Sequence, residues 1–119
     1  MMGYSDGGGS TWNLANRLTA LTNTINIDYT AYLDAVAQPF ANTGAENRRP
    51  PSSAFHVNYY QANGIFELGG GPIDDPPGAD FELDVQTTEW GDNLDHGTID
   101  DHPNVLDGII TRLRTNIQK

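Results

Sequence analysis

Carboxylates and histidines gather in one segment of the last third of the chain, and these residue types are able to bind metal ions. The segment contains Asp92, Asp95, His96, Asp100, Asp101 and His102. Carboxylate oxygens suit a hard cation such as calcium, and the histidines could recruit zinc. The spacing lacks the alternating acids and the twelfth-position Glu of a calcium loop, and the histidines lie six residues apart in an expected loop. We therefore predict a solvated loop whose last acids cap a helix, with no metal site and no cofactor.

Nucleophilic catalysis needs an activated serine, because the chain has no cysteine. The serines are Ser5, Ser10, Ser52 and Ser53. We assign none of them to a Gly-x-Ser-x-Gly elbow. His56 lies on an expected strand, where a hydrogen-bonded histidine is more common than a general base. Gly69-Gly70-Gly71 is not followed by the Lys-Ser/Thr of a phosphate loop. The sequence prediction is a protein without catalytic residues, which is not an enzyme, although converging carboxylate pairs stay open.

The charge balance restricts the classes of partner that the protein can bind. Sixteen acidic against six basic residues give a formal net charge of -10, which argues against a nucleic-acid surface. Twelve of the carboxylates lie between Pro50 and Thr111, a stretch without Lys or Arg. This pattern is open to two interpretations: adaptation to high salt, in a halophile or one of its viruses, or an acidic surface that meets a basic partner. We expect no membrane segment and no signal peptide, since no apolar run approaches the length of a bilayer span.

Helical periodicity near the N-terminus predicts the first regular element of the fold. Residues 1–9 are expected to form a flexible Gly-rich arm, and residues 10–119 a single small domain. Ser10 has the character of an N-cap. Apolar residues then recur at helical spacing at Leu14, Leu18, Leu21, Ile25, Tyr29, Tyr32 and Val36. The weak helix formers of residues 22–27 leave open whether residues 10–38 form one helix or two.

Period-two patterns predict the sheet. Phe55–Tyr60 alternates, Asn63-Gly64 favours a hairpin turn, and residues 65–68 supply a return strand. In the strand Phe81–Thr87, the residues Phe81, Leu83 and Val85 face the core, whereas Glu82 and Asp84 face solvent. A final helix covers Val105–Ile117, with Pro103 in its first turn. The predicted fold class is α+β: an N-terminal helix or helix pair, a three-stranded antiparallel sheet and a C-terminal helix.

This order of segments resembles the tail-terminator and neck (head–tail joining) proteins of tailed viruses. The resemblance covers residues 10–118 and includes Arg48-Arg49-Pro50-Pro51 before the first strand. It implies a non-enzymatic structural subunit of a ring, whose partners are further copies of the chain and neighbouring structural proteins. The implied location is the virion, assembled in the host cytoplasm, without nucleic acid, membrane or small-molecule substrate. The alternative is a free, cytoplasmic acidic binding module for a basic protein, with or without a stabilising cation.

The excess of carboxylates predicts a salt dependence. Raising monovalent salt from low to molar concentration should raise the melting temperature, because salt screens repulsion within the acidic stretch. Thermal unfolding followed by circular dichroism measures this. A melting temperature that is flat or falls with salt would remove the halophilic interpretation.

Overall fold

Four strands and two helices make up the described part of the chain. The computed structural model describes residues 1–21, 25–36, 44–63 and 69–117. The elements are β1 (Met2–Tyr4), α1 (Asp6–Leu21), β2 (Ile27–Leu33), β3 (Ser53–Tyr60), β4 (Phe81–Asp84) and α2 (Pro103–Ile117). Short 3-10 turns at Ala45–Asn47 and Val85–Thr87 interrupt the connections. No helix among the described residues is long and apolar enough to cross a membrane.

The sheet is parallel throughout, in the order β1-β2-β3-β4. The predicted three-stranded antiparallel sheet is therefore wrong. Parallel neighbours need long crossover connections, and the chain between β2 and β3 and between β3 and β4 supplies them. The predicted return strand at residues 65–68 lies outside the described residues. Because a hairpin signal is local and a crossover has no short signature, the sequence favoured the wrong pairing.

The central strand β2 was predicted as helix, and its burial explains the error. Every residue of β2 except Asp28 is buried, so both faces of the strand are covered. A strand buried on both sides shows no polar-apolar alternation, and its aromatic residues happen to fall at helical spacing. Its richness in aromatic and β-branched residues, such as Ile27 and Thr30, was the signal for a strand.

The two helices cover opposite faces of the sheet. Tyr29, Ala31 and Leu33 of β2 join the larger core cluster with α2 residues such as Val105, whereas Tyr32 packs in a second cluster with Trp12 of α1. Alternate residues of a strand point to opposite faces. The result is a three-layer arrangement with a parallel sheet in the middle.

The N-terminal residues are part of this arrangement. Residues 1–9 were expected to form a flexible arm, but they include β1 and the first turn of α1. The buried residues of the helix are small, Gly8, Thr11 and Ala15. The predicted leucine face is not the buried one, since Leu14 is 49% and Leu21 is 79% exposed. Residues 22–24 lie outside the described residues.

The C-terminal part follows the sequence more closely. The helix α2 begins at Pro103 and ends at Ile117, although its buried residues are Val105 and Ile109 rather than the whole predicted stripe. At β4 the predicted alternation is confirmed only in part, since Glu82 is exposed and Val85, just after the strand, is buried. Phe81, Leu83 and Asp84 are all half-buried, and the strand ends at Asp84 in a 3-10 turn.

His56 of β3 is completely buried on the α1 face. Its Nδ1 atom lies 2.8 Å from the Thr30 hydroxyl, and its ring meets the edge of the Tyr32 ring. Burial, with a further contribution from the Arg49 charge, lowers the pKa of His56 from 6.5 to about 4. The folded protein therefore holds this imidazole neutral.

This histidine predicts acid sensitivity. Between pH 6.5 and about 4, His56 is protonated in the unfolded chain but stays neutral in the folded protein. The free energy of unfolding therefore falls as the pH falls, and this loss is complete below about pH 4. The loss is about 3 kcal/mol. Urea unfolding of the parent and of His56→Gln, from pH 8 to pH 4, measures it. The stability gap between the two proteins should shrink with acidification, and a constant gap would contradict the prediction.

Candidate active site

Three polar side chains meet at the edge of the sheet where β1 and β2 end. Ser5 directly follows β1, Asp34 directly follows β2, and His96 lies in the segment 91–102 that precedes α2. The carboxyl ends of parallel strands lie at one edge of a sheet, which is where such folds place their ligands. Two backbone hydrogen bonds hold the chain around Ser5 against the end of β2. The Ser5 amide donates to the Leu33 carbonyl at 3.1 Å, and the Val36 amide donates to the Ser5 carbonyl at 3.3 Å.

The three side chains form a continuous hydrogen-bonded relay. The Ser5 Oγ atom lies 2.8 Å from His96 Nε2, and His96 Nδ1 lies 2.6 Å from Asp34 Oδ2. A carboxylate accepts hydrogen bonds only, so Nδ1–H donates to Asp34, and in the neutral imidazole the lone pair of Nε2 accepts the Ser5 hydroxyl proton. This is the arrangement in which an imidazole can remove a proton from a serine.

Asp34 is fully buried, and its carboxylate is surrounded by donors. Oδ1 accepts the amides of Gln61 at 3.2 Å and Gly70 at 2.6 Å, and Oδ2 accepts the Gln61 side chain at 2.7 Å as well as His96. The Asp34 side chain has 0% exposure, whereas that of His96 has 21%. A buried charge is tolerated only when it is paired and hydrogen-bonded. These donors also fix the direction in which Oδ2 faces the imidazole.

Ser5 occupies a tight turn between a strand and a helix. Its φ of 54° lies in the left-handed region, which is uncommon for residues other than glycine. A Cβ atom on Gly3 would collide with the Gly7 carbonyl, and one on Gly8 would collide with the Ala35 side chain. Because the chain must approach itself so closely here, these positions need glycine. The turn has the geometry of a nucleophile elbow.

The helix α1 contributes electrostatics to the same point. It begins at Asp6, the residue after Ser5, and runs for 16 residues. Its first-turn N–H groups and the positive end of its dipole therefore lie beside the serine. Negative charge that develops on an oxygen bound at Ser5 would be stabilised there.

The segment that carries His96 is irregular and is held by contacts on both sides of the histidine. Leu94 and Ile99 are buried in the core. The Asn63 side chain donates to the carbonyls of Asp92 at 2.9 Å and Leu94 at 3.3 Å. Tyr4 stacks on the His96 ring and donates its hydroxyl to the His96 carbonyl. The position of His96 thus depends on several elements.

The structure separates the histidines of the predicted acidic loop. His96 enters the relay, whereas the His102 ring stacks on Trp90 with a centroid distance of 4.9 Å. Asp95 accepts hydrogen bonds within its own turn, from the Gly97 amide and the Thr98 hydroxyl. Over the described ranges, no three His, Cys, Asp or Glu side chains are grouped as metal ligands.

Our interpretation that no serine lies in a Gly-x-Ser-x-Gly elbow is wrong. Gly3-Tyr4-Ser5-Asp6-Gly7 matches that pattern. The motif was overlooked because residues 1–9 were interpreted as a Gly-rich arm. Asp34 and His96 carried no comparable signal, since nothing in a sequence shows that two residues 62 positions apart will meet.

Comparison with known proteins adds no relative. No family model, no curated protein and no solved structure matches the chain. Functional inference therefore depends on the geometry of the site.

The elbow predicts opposite effects at its two glycines. Gly3→Ala should destabilise the protein by roughly 1–3 kcal/mol or more, because its Cβ has no space beside the Gly7 carbonyl. Gly7→Ala is the matched control. Nothing lies within 4 Å of its Cβ, so alanine should be tolerated or should stabilise α1 by up to about 1 kcal/mol. Urea unfolding compares the two, and equal effects would mean that the turn is not built as described.

Proposed function

We propose that this chain is a serine hydrolase that cleaves carboxylic esters through an acyl-enzyme intermediate. One observation carries the proposal: the hydrogen-bonded relay from Ser5 Oγ through His96 to the buried Asp34 carboxylate. The order Ser, Asp, His along the chain, with the serine between a strand and a helix, is also the arrangement of α/β-hydrolases. This likeness is one of geometry and supports the proposal as an analogy.

Each group has a role in acylation. The Ser5 oxygen attacks the ester carbonyl carbon while His96 Nε2 takes the hydroxyl proton. Asp34 stabilises the resulting imidazolium and holds its orientation. The N-terminus of α1 stabilises the negative charge on the former carbonyl oxygen. When the tetrahedral intermediate collapses, the imidazolium gives its proton to the leaving alkoxide, and the alcohol departs from an acyl-Ser5.

Deacylation reverses the same proton transfers with water. His96 removes a proton from a water molecule, whose oxygen attacks the acyl carbon. The imidazolium then returns the proton to Ser5 Oγ as the acyl bond breaks, and the carboxylic acid leaves. The His96 side chain is 21% exposed, so part of it is in contact with solvent.

The role of a tail-terminator or neck subunit stays a prediction. A purely structural subunit does not require a fully buried carboxylate aligned with a histidine and a serine. The Arg48-Arg49 pair also lies within the fold of its own chain, since Arg49 pairs with Asp80 at 2.6 Å and Arg48 stacks on Trp12. The described geometry thus favours the hydrolase.

Substitution of the nucleophile tests the proposal. The parent should hydrolyse p-nitrophenyl esters and react covalently with a fluorophosphonate probe, and Ser5→Ala should lower the turnover number by about 10³-fold or more and abolish labelling. Ser10→Ala is the matched control, because Ser10 is an exposed serine of α1. It should keep both activities.

Two further variants test the relay. His96→Ala should lose both ester turnover and probe labelling, and Asp34→Asn should lower turnover by about 10⁴-fold, because an amide favours the wrong imidazole tautomer. Circular dichroism confirms that each variant is folded. A folded parent that neither turns over esters nor labels, or a Ser5→Ala variant as active as the parent, would refute the proposal.

A further inference from the structure

Tyr4, the residue before the proposed nucleophile, makes two contacts with the same histidine. Its ring stacks on the His96 ring with a centroid distance of 5.1 Å and an interplanar angle of 24°. Its hydroxyl donates a hydrogen bond to the His96 carbonyl oxygen. One side chain therefore restrains both the imidazole plane and the backbone that carries it.

His96 needs such a restraint because no helix or strand holds it. The segment 91–102 consists of turns, and its buried anchors Leu94 and Ile99 lie two and three residues away from the histidine. Rotation of the ring about its Cα–Cβ bond would break the contacts with Ser5 and Asp34 together. The Tyr4 ring lies against one face of the imidazole and blocks that rotation.

Tyr4 is itself fixed by its place in the elbow. It is the last residue of β1, paired in register with Leu33 of β2, and Ser5 follows it directly. A shift of Tyr4 would thus move the nucleophile too. The stack couples the position of the base to the position of the serine oxygen.

We infer that Tyr4 is a positioning residue, which aligns the His96 imidazole with Ser5 and Asp34 and, through its ring face, favours the imidazolium formed during attack. The inference depends on the proposed hydrolase function for its catalytic consequence. Aromatic faces attract cations that lie within about 6 Å of the ring centroid. A misplacement of about 1 Å in a reacting group can cost about 10²-fold in rate.

The experiment compares a ring-keeping variant with ring-deleting ones. Tyr4→Phe keeps the stack and loses the hydroxyl, whereas Tyr4→Leu and Tyr4→Met lose both. Trp90→Leu is the matched control, since the Trp90 ring stacks on His102, which lies in the same segment as His96 but outside the relay. The measurements are kcat and KM on a p-nitrophenyl ester, the rate of fluorophosphonate labelling, and the far-downfield proton NMR signal of His96 Nδ1–H.

The ring-deleting variants should lower kcat and the labelling rate by about 30- to 100-fold, with KM within about twofold. They should also lose the Nδ1–H signal, which persists only while that proton is held by Asp34. Tyr4→Phe should stay within about threefold of the parent, and Trp90→Leu should keep the signal. Circular dichroism shows whether Tyr4→Leu and Tyr4→Met are folded, and where one of them is not, the comparison uses the other.

The outcomes separate the two proposals. Full turnover and an intact Nδ1–H signal in a folded Tyr4→Leu or Tyr4→Met variant would overturn the positioning role and leave the hydrolase standing. Equal losses in Trp90→Leu would also overturn it, because loosening of the segment would then explain the effect. A parent without esterase activity whose Nδ1–H signal disappears in the ring-deleting variants would refute the hydrolase and support the positioning role.

Discussion

The carboxylate of Asp34 is the group on which the arrangement of the site depends. It is wholly removed from water, so each of its oxygens must find donors within the protein, and it finds them in Gln61 after β3, in Gly70 and in His96. These donors come from three separate parts of the chain. Satisfying one buried charge therefore ties the ends of β2 and β3 to the irregular segment before α2. If the Asp34 partners were lost, the charge would be left uncompensated and the segment would lose its attachment.

The same edge of the sheet stores backbone strain. Ser5 and Asp34 both have positive φ angles, of 54° and 43°, although neither is glycine. Such conformations persist only where the surroundings over-determine them, and they cluster at functional sites. Here the surroundings are the backbone bonds from Ser5 to Leu33 and from Val36 to Ser5. The strain thus supports an interpretation of this edge as a site and not as a simple loop junction.

The sequence was sufficient for the features that depend on local chemistry. The helix α2, with Pro103 in its first turn, and the burial of Val85 opposite Glu82 follow from periodicity. The elbow around Ser5 was also visible as a motif. The strand β2 showed no alternation, because it is buried on both faces, and only its composition indicated a strand. The contact of Asp34 with His96 could not be predicted, because crossover connections create it.

The all-parallel sheet has a consequence for how the chain reaches this state. Each described pairing joins distant residues, such as Met2 with Ala31 and Val57 with Phe81, so none of these strand pairs can form outward from a tight turn. Loop-closure entropy is then opposed by little local gain, and folds of high contact order acquire structure slowly. The relay is complete only when β1, β2 and the segment before α2 have all packed together, so its hydrogen bonds do not stabilise the early stages of folding. Until then, the aromatic strands β2 and β3 are open to pairing with other chains, and the repulsion among the many carboxylates opposes that encounter.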